Sequence, residues 1–157
     1  MSSTIIGKSA GIIVNNQEEI LVLKGRYQRY HTLPKVSLRS NESPSDRLTK
    51  EITDLTEIDS LVMYLAGVQT SESALYTAFL GAGNGDLSKS SELSEAFWWN
   101  GTQEVNLDRD SVLLLKLGRY YVGGISRQVW KLDHLDRSRI LNRIVRLAQE
   151  GGSEYAS

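Results

Sequence analysis

The chain of 157 residues contains no cysteine, only two prolines and only two histidines. Without cysteine there is no disulfide, no thiolate metal site and no cysteine nucleophile, a composition that suits a reducing compartment and points to the cytoplasm. No apolar run approaches the ~20 residues that a membrane-spanning helix needs. The N-terminal stretch MSSTIIGKSAG also lacks the basic region and sustained apolar core of a signal peptide. An excess of charge of either sign is missing too: 18 Lys and Arg stand against 19 Asp and Glu, a formal net charge of −1. No overall field therefore draws the chain to nucleic acid or to an anionic membrane. What remains is an ordinary globular composition, 40% hydrophobic, at a length that predicts a single domain over 1–157 with a real core.

Strand signals come in pairs. Ile5 to Val14 and Glu19 to Lys24 are β-rich runs separated by the turn-forming Asn15-Asn16-Gln17, which predicts a hairpin. Leu61 to Gln69 and Ala74 to Gly81 repeat the pattern around Thr70-Ser71-Glu72-Ser73. Gly81 to Asp86 reads as a flexible loop; it lacks the lysine and the helix start of a phosphate-binding loop. Ser88 to Ser94 is polar and loop-like, and Ala96 to Trp99 reads as a short buried strand. A helix is predicted from Asp108 to Tyr121, with Asp108 or Asp110 as cap, Val112, Leu113, Leu115 and Leu117 largely buried, and Gly123-Gly124 as the break. The stretch at about 136–150 is amphipathic, with Ile140, Leu141, Ile144, Val145 and Ala148 on one face and Gly151 at its end. Its other face carries Arg137, Arg139, Arg143 and Arg146, by default a solvated face and less often a surface for RNA or an acidic partner.

The most informative stretch runs from Leu33 to Ile58, LPKVSLRSNESPSDRLTKEITDLTEI. It opens as a Pro-containing loop and turns into a helix. Ser43 suits the N-cap, Pro44 the first helical position, and Asp46 sits where a carboxylate faces the positive helix end. Leu48, Ile52 and Leu55 recur at i, i+4 and i+7 as an apolar stripe. Glu51 and Asp54, three apart, can project from one side, and a loop leading into a helix with paired acids is a seat for a divalent metal. The alternative is a buried helix whose acids are simply its solvated face. Just upstream, KGRYQRYH from Lys24 to His31 is rich in cations and aromatics: Arg26 and Arg29 can clamp phosphates while Tyr27 or Tyr30 stacks on a base. An exposed loop with ordinary tyrosine packing is the competing reading, and His31 is expected to be packed or solvated rather than a ligand.

This stretch resembles the Nudix box, G-x5-E-x7-R-E-U-x-E-E-x-G-U with U aliphatic. Glu42, Glu51, Ile52 and Ile58 match; Lys50 and Asp54 are conservative changes; Val36, Leu55 and Glu57 are departures. Leu33-Pro34 matches the approach to the box, but both glycines that usually follow are replaced by Lys35 and Val36. The resemblance spans about 5–121 and implies an α+β fold, a Nudix-type α/β/α sandwich with a mixed, curved sheet. It further implies a Mg²⁺- or Mn²⁺-dependent hydrolase of a nucleoside diphosphate linked to another moiety. Glu51 would be catalytic base or ligand, Asp54 and Glu42 metal ligands, Lys50 an orienting partner for a carboxylate, and Arg26, Arg29 and Tyr27 substrate-binding residues. Glu92 and Glu95 are further candidates from the segment before the late aromatic strand. Because the box is degenerate, a catalytically inactive nucleotide-binding or protein-interaction module is the second expectation. The C-terminal helix lies outside the resemblance, as an accessory or dimerisation element.

Overall fold

The computed structural model describes residues 4–15, 17, 19–58, 61–83, 85–100 and 102–115; the predicted helix at about 136–150 and the part of the preceding helix beyond 115 lie outside them. The described residues form six strands: β1 (Ile5–Val14), β2 (Ile20–Gly25), β3 (Lys35–Arg39), β4 (Val62–Thr70), β5 (Leu75–Ala82) and β6 (Leu93–Trp99). Helix α1 (Pro44–Thr56) lies between β3 and β4, and residues 109–115 form a second helix, α2. The turns close as their side chains dictate. Asn15 Oδ1 accepts from the N–H groups of Gln17 (3.0 Å) and Glu19 (2.8 Å), and Ser71 Oγ accepts from those of Ser73 and Ala74 (both 3.1 Å).

The sheet order is β4-β5-β1-β2-β6, with β3 also pairing β1. β1 runs parallel to β5, while every other pairing is antiparallel, so the sheet is mixed. Alternating residues divide between its faces. Ala10, Ile12, Val14, Val22 and Tyr76 pack with Val112, Leu114 and Leu115 of α2. Ile13, Leu21, Leu23, Val36 and Phe79 pack with Leu48, Ile52 and Leu55 of α1. The result is the α/β/α sandwich expected from the sequence.

Two boundaries differ from that expectation. The segment entering α1 is not a loop throughout, because Lys35–Arg39 is a strand whose alternation buries Val36 and Leu38 and exposes Ser37 and Arg39. Its five residues follow a proline and are too few to stand out in sequence; pairing with β1 is what makes them a strand. β6 likewise begins at Leu93, within the polar Ser88–Ser94 stretch.

Helix α1 begins as predicted, with Ser43 as N-cap accepting from the Asp46 N–H and Pro44 at the first position. Leu48 and Ile52 are fully buried, which contributes ~1.5–3 kcal/mol for each side chain. The helix ends at Glu57, whose φ of 65° is left-handed and whose N–H donates to Thr53 O at 2.8 Å. An L-residue there is strained by roughly 1–2 kcal/mol, and glycine relieves most of that despite its larger unfolded entropy. Glu57→Gly should therefore raise stability by about 0.5–1 kcal/mol in urea titration. A loss of stability would show that the Glu57 side chain contributes more than its backbone strain costs.

Candidate functional site

The site is created by a split in the sheet. β2 pairs with β1 only where the hairpin turns, at Val14↔Ile20, and then diverges. β3 takes up the vacated edge of β1, with Ala10↔Lys35, Ser9↔Val36 and Lys8↔Ser37 in register, and Gly11 N–H donates to Pro34 O at 3.1 Å. Between the diverging β2 and β3 lies a cleft of about 590 Å³. Cross-strand partners share a face. Val36 thus points toward α1, whereas Lys35 and Ser37 point with Ala10 and Lys8 toward the α2 face. The cleft has an α1 end and a strand end.

At the α1 end, Arg47, Glu51 and Leu55 line the cleft from three successive helical turns. Arg47 Nη1 lies 3.5 Å from Glu51 Oε1, and Arg47 Nε lies 3.5 Å from Glu42 Oε2. One half-exposed guanidinium therefore bridges two of the box carboxylates. Glu42 Oε1 also accepts from the Arg39 N–H at 2.9 Å and caps the turn into α1. Asp54 points elsewhere. Three residues after Glu51 it is rotated roughly 60° one way around the helix, while Leu55, four residues on, is rotated roughly 40° the other way. Asp54 pairs with Lys50 at 2.7 Å on the exposed side, so Lys50 does partner a box carboxylate, but outside the cleft.

Of the three predicted metal ligands, Glu51 lines the cleft, and Glu42 and Asp54 do not. Leu55 stands where a carboxylate would, 9% exposed in the same apolar cluster as Val36, which is 8% exposed. Among the described residues no three His, Cys, Asp or Glu side chains converge on a common point that would hold a metal. The donor set does not fit a resident divalent cation, since its one cleft-facing box acid already faces an arginine and its neighbour is a hydrocarbon.

The cation-rich loop is a tight turn, with Gln28 N–H donating to Gly25 O at 3.1 Å and Arg26 N–H to Glu92 O at 2.9 Å. Gly25 and Gln28 reach the cleft lining; Arg26, Tyr27 and Arg29 do not. Tyr27 is 95% exposed, and the Arg29 guanidinium stacks over Tyr30, 5.4 Å from the ring centroid. Glu92 lines the cleft, whereas Glu95 turns to His31 (3.3 Å) and Lys24 (3.8 Å). His31 is packed, as expected. Its Nδ1 accepts from the Asn106 N–H at 3.1 Å, which leaves Nε2 to donate to Glu95.

At the strand end the structure assembles residues that the motif did not single out. Lys35 pairs with Asp108, whose other oxygen accepts from the Ser111 N–H at 2.8 Å as the N-cap of α2. Ser111, fully buried, accepts from the Leu33 N–H at 2.9 Å and so ties α2 to the entrance of β3. Beneath Lys35, the buried Tyr76 hydroxyl donates to Asp110, as does Ser73. Burial raises the Tyr76 pKa far above the tyrosine range, and the Asp110 carboxylate adds to the shift. Burial also tends to raise Asp110, but hydrogen bonds from Ser73 and Tyr76 and the Lys35 charge outweigh it and hold that carboxyl below its usual value. Lys8 is half-buried in the cleft wall. The one signal for it in sequence is a lone charge in the β-rich run IIGKSAGIIV.

No protein-family model and no curated protein matches this sequence. Its fold does match solved structures. A Nudix hydrolase from M. smegmatis superposes with a TM-score of 0.60 at 11% identity, over 77% of this chain and 88% of that one. An ADP-ribose pyrophosphatase from Streptococcus suis gives 0.53 at 14% identity, over 64% and 77%. A UDP-X diphosphatase gives 0.54 at 17% identity, over 100% and 69%. The class is thus an α+β sandwich with a split mixed sheet and a box helix at the split. This is the Nudix fold.

Proposed function

We propose that the chain binds a nucleoside diphosphate derivative in the split-sheet cleft and that its hydrolytic capacity is largely lost. The observation that carries this is the packing of Leu55 with Val36. At the two positions where the box resemblance calls for a carboxylate and a glycine, this chain places hydrocarbon in one apolar cluster. Arg47 supports the same reading, because it engages the carboxylates of Glu42 and Glu51 that metal would otherwise engage. The ligand class follows from the fold's neighbours, which include a pyrophosphatase of ADP-ribose and a UDP-X diphosphatase, and from a volume of about 590 Å³ that suits a nucleotide-sized molecule. Fold alone does not decide activity; the site does.

The second reading is a hydrolase of a nucleoside diphosphate linked to another moiety, dependent on Mg²⁺ or Mn²⁺. The position of Glu51 in the cleft wall, with Glu92 also lining it, favours that reading. A panel of ADP-ribose, a UDP-sugar and a dinucleoside polyphosphate, each with Mg²⁺ or Mn²⁺, separates the two. We expect calorimetric binding of at least one compound with a Kd below about 100 µM. Released phosphate species should stay within about two-fold of the uncatalysed background. Metal-dependent turnover that Glu51→Gln abolishes would overturn the proposal and establish the hydrolase.

A further inference from the structure

Among the described residues three cations line the cleft, and two of them are engaged. Lys35 is held by Asp108, and Arg47 lies between Glu42 and Glu51. Lys8 has no ion-pair or hydrogen-bond partner for its ammonium among the described residues, although it is half-buried in the cleft wall. Its cross-strand partner Ser37 lines the same wall and faces the same side, with a hydroxyl that likewise has no partner among the described residues. The local charge separates the two ends of the cleft. Lys8, Lys35, Asp108 and Asp110 sum to zero, while Arg47, Glu42 and Glu51 sum to −1, and Glu92 is a further acid in the lining.

An anion entering this cleft is therefore repelled from the net negative box and meets the unpaired Lys8 ammonium on β1. A half-buried lysine on a strand is also more pre-organised than one on an exposed loop, so less freedom is lost when it binds. Resting on the nucleotide-binding reading above, we propose that the ligand's diphosphate is held at the strand end of the cleft, by the Lys8 ammonium with the Ser37 hydroxyl, and that this binding needs no divalent metal. The nucleoside would then extend toward the α1 end, where Val36, Leu55 and Leu23 offer an apolar wall.

The test is calorimetric titration of inorganic pyrophosphate and of ADP, each in EDTA and in Mg²⁺. For wild type both probes should bind in EDTA and bind no more tightly in Mg²⁺, because the cation complexes their phosphates in solution and the site supplies no metal ligand. Lys8→Ala should weaken both probes by about ten-fold or more in EDTA, the effect of removing a charge-assisted hydrogen bond, and Lys8→Arg should recover most of that. Ser37→Ala should have a smaller effect in the same direction. Arg26→Ala/Arg29→Ala, in the loop outside the cleft lining, should shift the Kd by less than about two-fold. Melting temperatures of all variants check that the fold is kept, and Lys8→Arg keeps the comparison valid if Lys8→Ala is unstable. Binding seen only with Mg²⁺ would overturn this inference while leaving the nucleotide-binding reading in place. So would a loss in the loop double variant with none in Lys8→Ala. No binding of either probe, or of the nucleotide panel, in either buffer would overturn both.

Discussion

Leu55→Glu should lower stability by about 2–4 kcal/mol, equally with and without Mg²⁺, and should restore no hydrolysis. Leu55 is 9% exposed and packs in one cluster with Val36, Leu48 and Ile52. A carboxylate there loses water on most sides and finds no cation to replace it, because Arg47 is already engaged by two acids. The opposing effect is its position on the cleft wall, where part of the side chain can reach solvent, so the expected loss stays below that of a fully buried charge. Thermal denaturation and a phosphate-release assay on the same variant measure both quantities. A Mg²⁺-dependent gain in melting temperature together with new turnover would show that the box lacks only this ligand. That outcome would sink the binding-module reading.

Asp110→Ala should be comparably damaging, at about 2–3 kcal/mol, although it changes a residue outside the cleft lining. The Tyr76 side chain is fully buried and its hydroxyl donates to Asp110, as does Ser73, so truncation leaves a buried donor with no acceptor. The pH dependence identifies the cause. The Asp110 pKa is depressed in the fold, so its contribution is present above the ordinary carboxyl value of about 3.9 and is lost as pH falls below it. The Tyr76 pKa is raised, so its contribution is present below the ordinary tyrosine value of about 10 and is lost as pH rises above it. Urea titrations from pH 3 to 11 should therefore show Asp110→Ala with a shallower acid limb than wild type, and Tyr76→Phe with a shallower alkaline limb. Curves parallel to wild type at both ends would mean that the network contributes only packing.

Local signals along the chain were sufficient for most of the architecture. β-rich runs bounded by turn-forming residues placed β1, β2, β4 and β5 to within a residue or two, since β-propensity and turn chemistry belong to the segment itself. Ser43, Pro44 and the Leu48/Ile52/Leu55 stripe placed α1, because capping and amphipathicity are properties of the segment itself. The same stripe, with its leucine in place of an acid, already raised the question of whether the box still works.

Where the side chains of that box point was decided by the tertiary structure. Spacing allowed Glu51 and Asp54 to share a side, but the rotation of α1 on the sheet turned Asp54 outward to Lys50 and set Leu55 against Val36. Arg47 became the partner of Glu42 and Glu51 because the turn into α1 folds Glu42 back over the first helical turn. Lys8 lies 27 positions before Lys35 in the chain, and the two share a cleft wall because β3 replaces β2 on the edge of β1. Capping, turns and apolar periodicity are short-range and can be read along one segment. The composition of a cleft is long-range, set by which strands diverge and which edges they leave free, and it exists only once the sheet has formed.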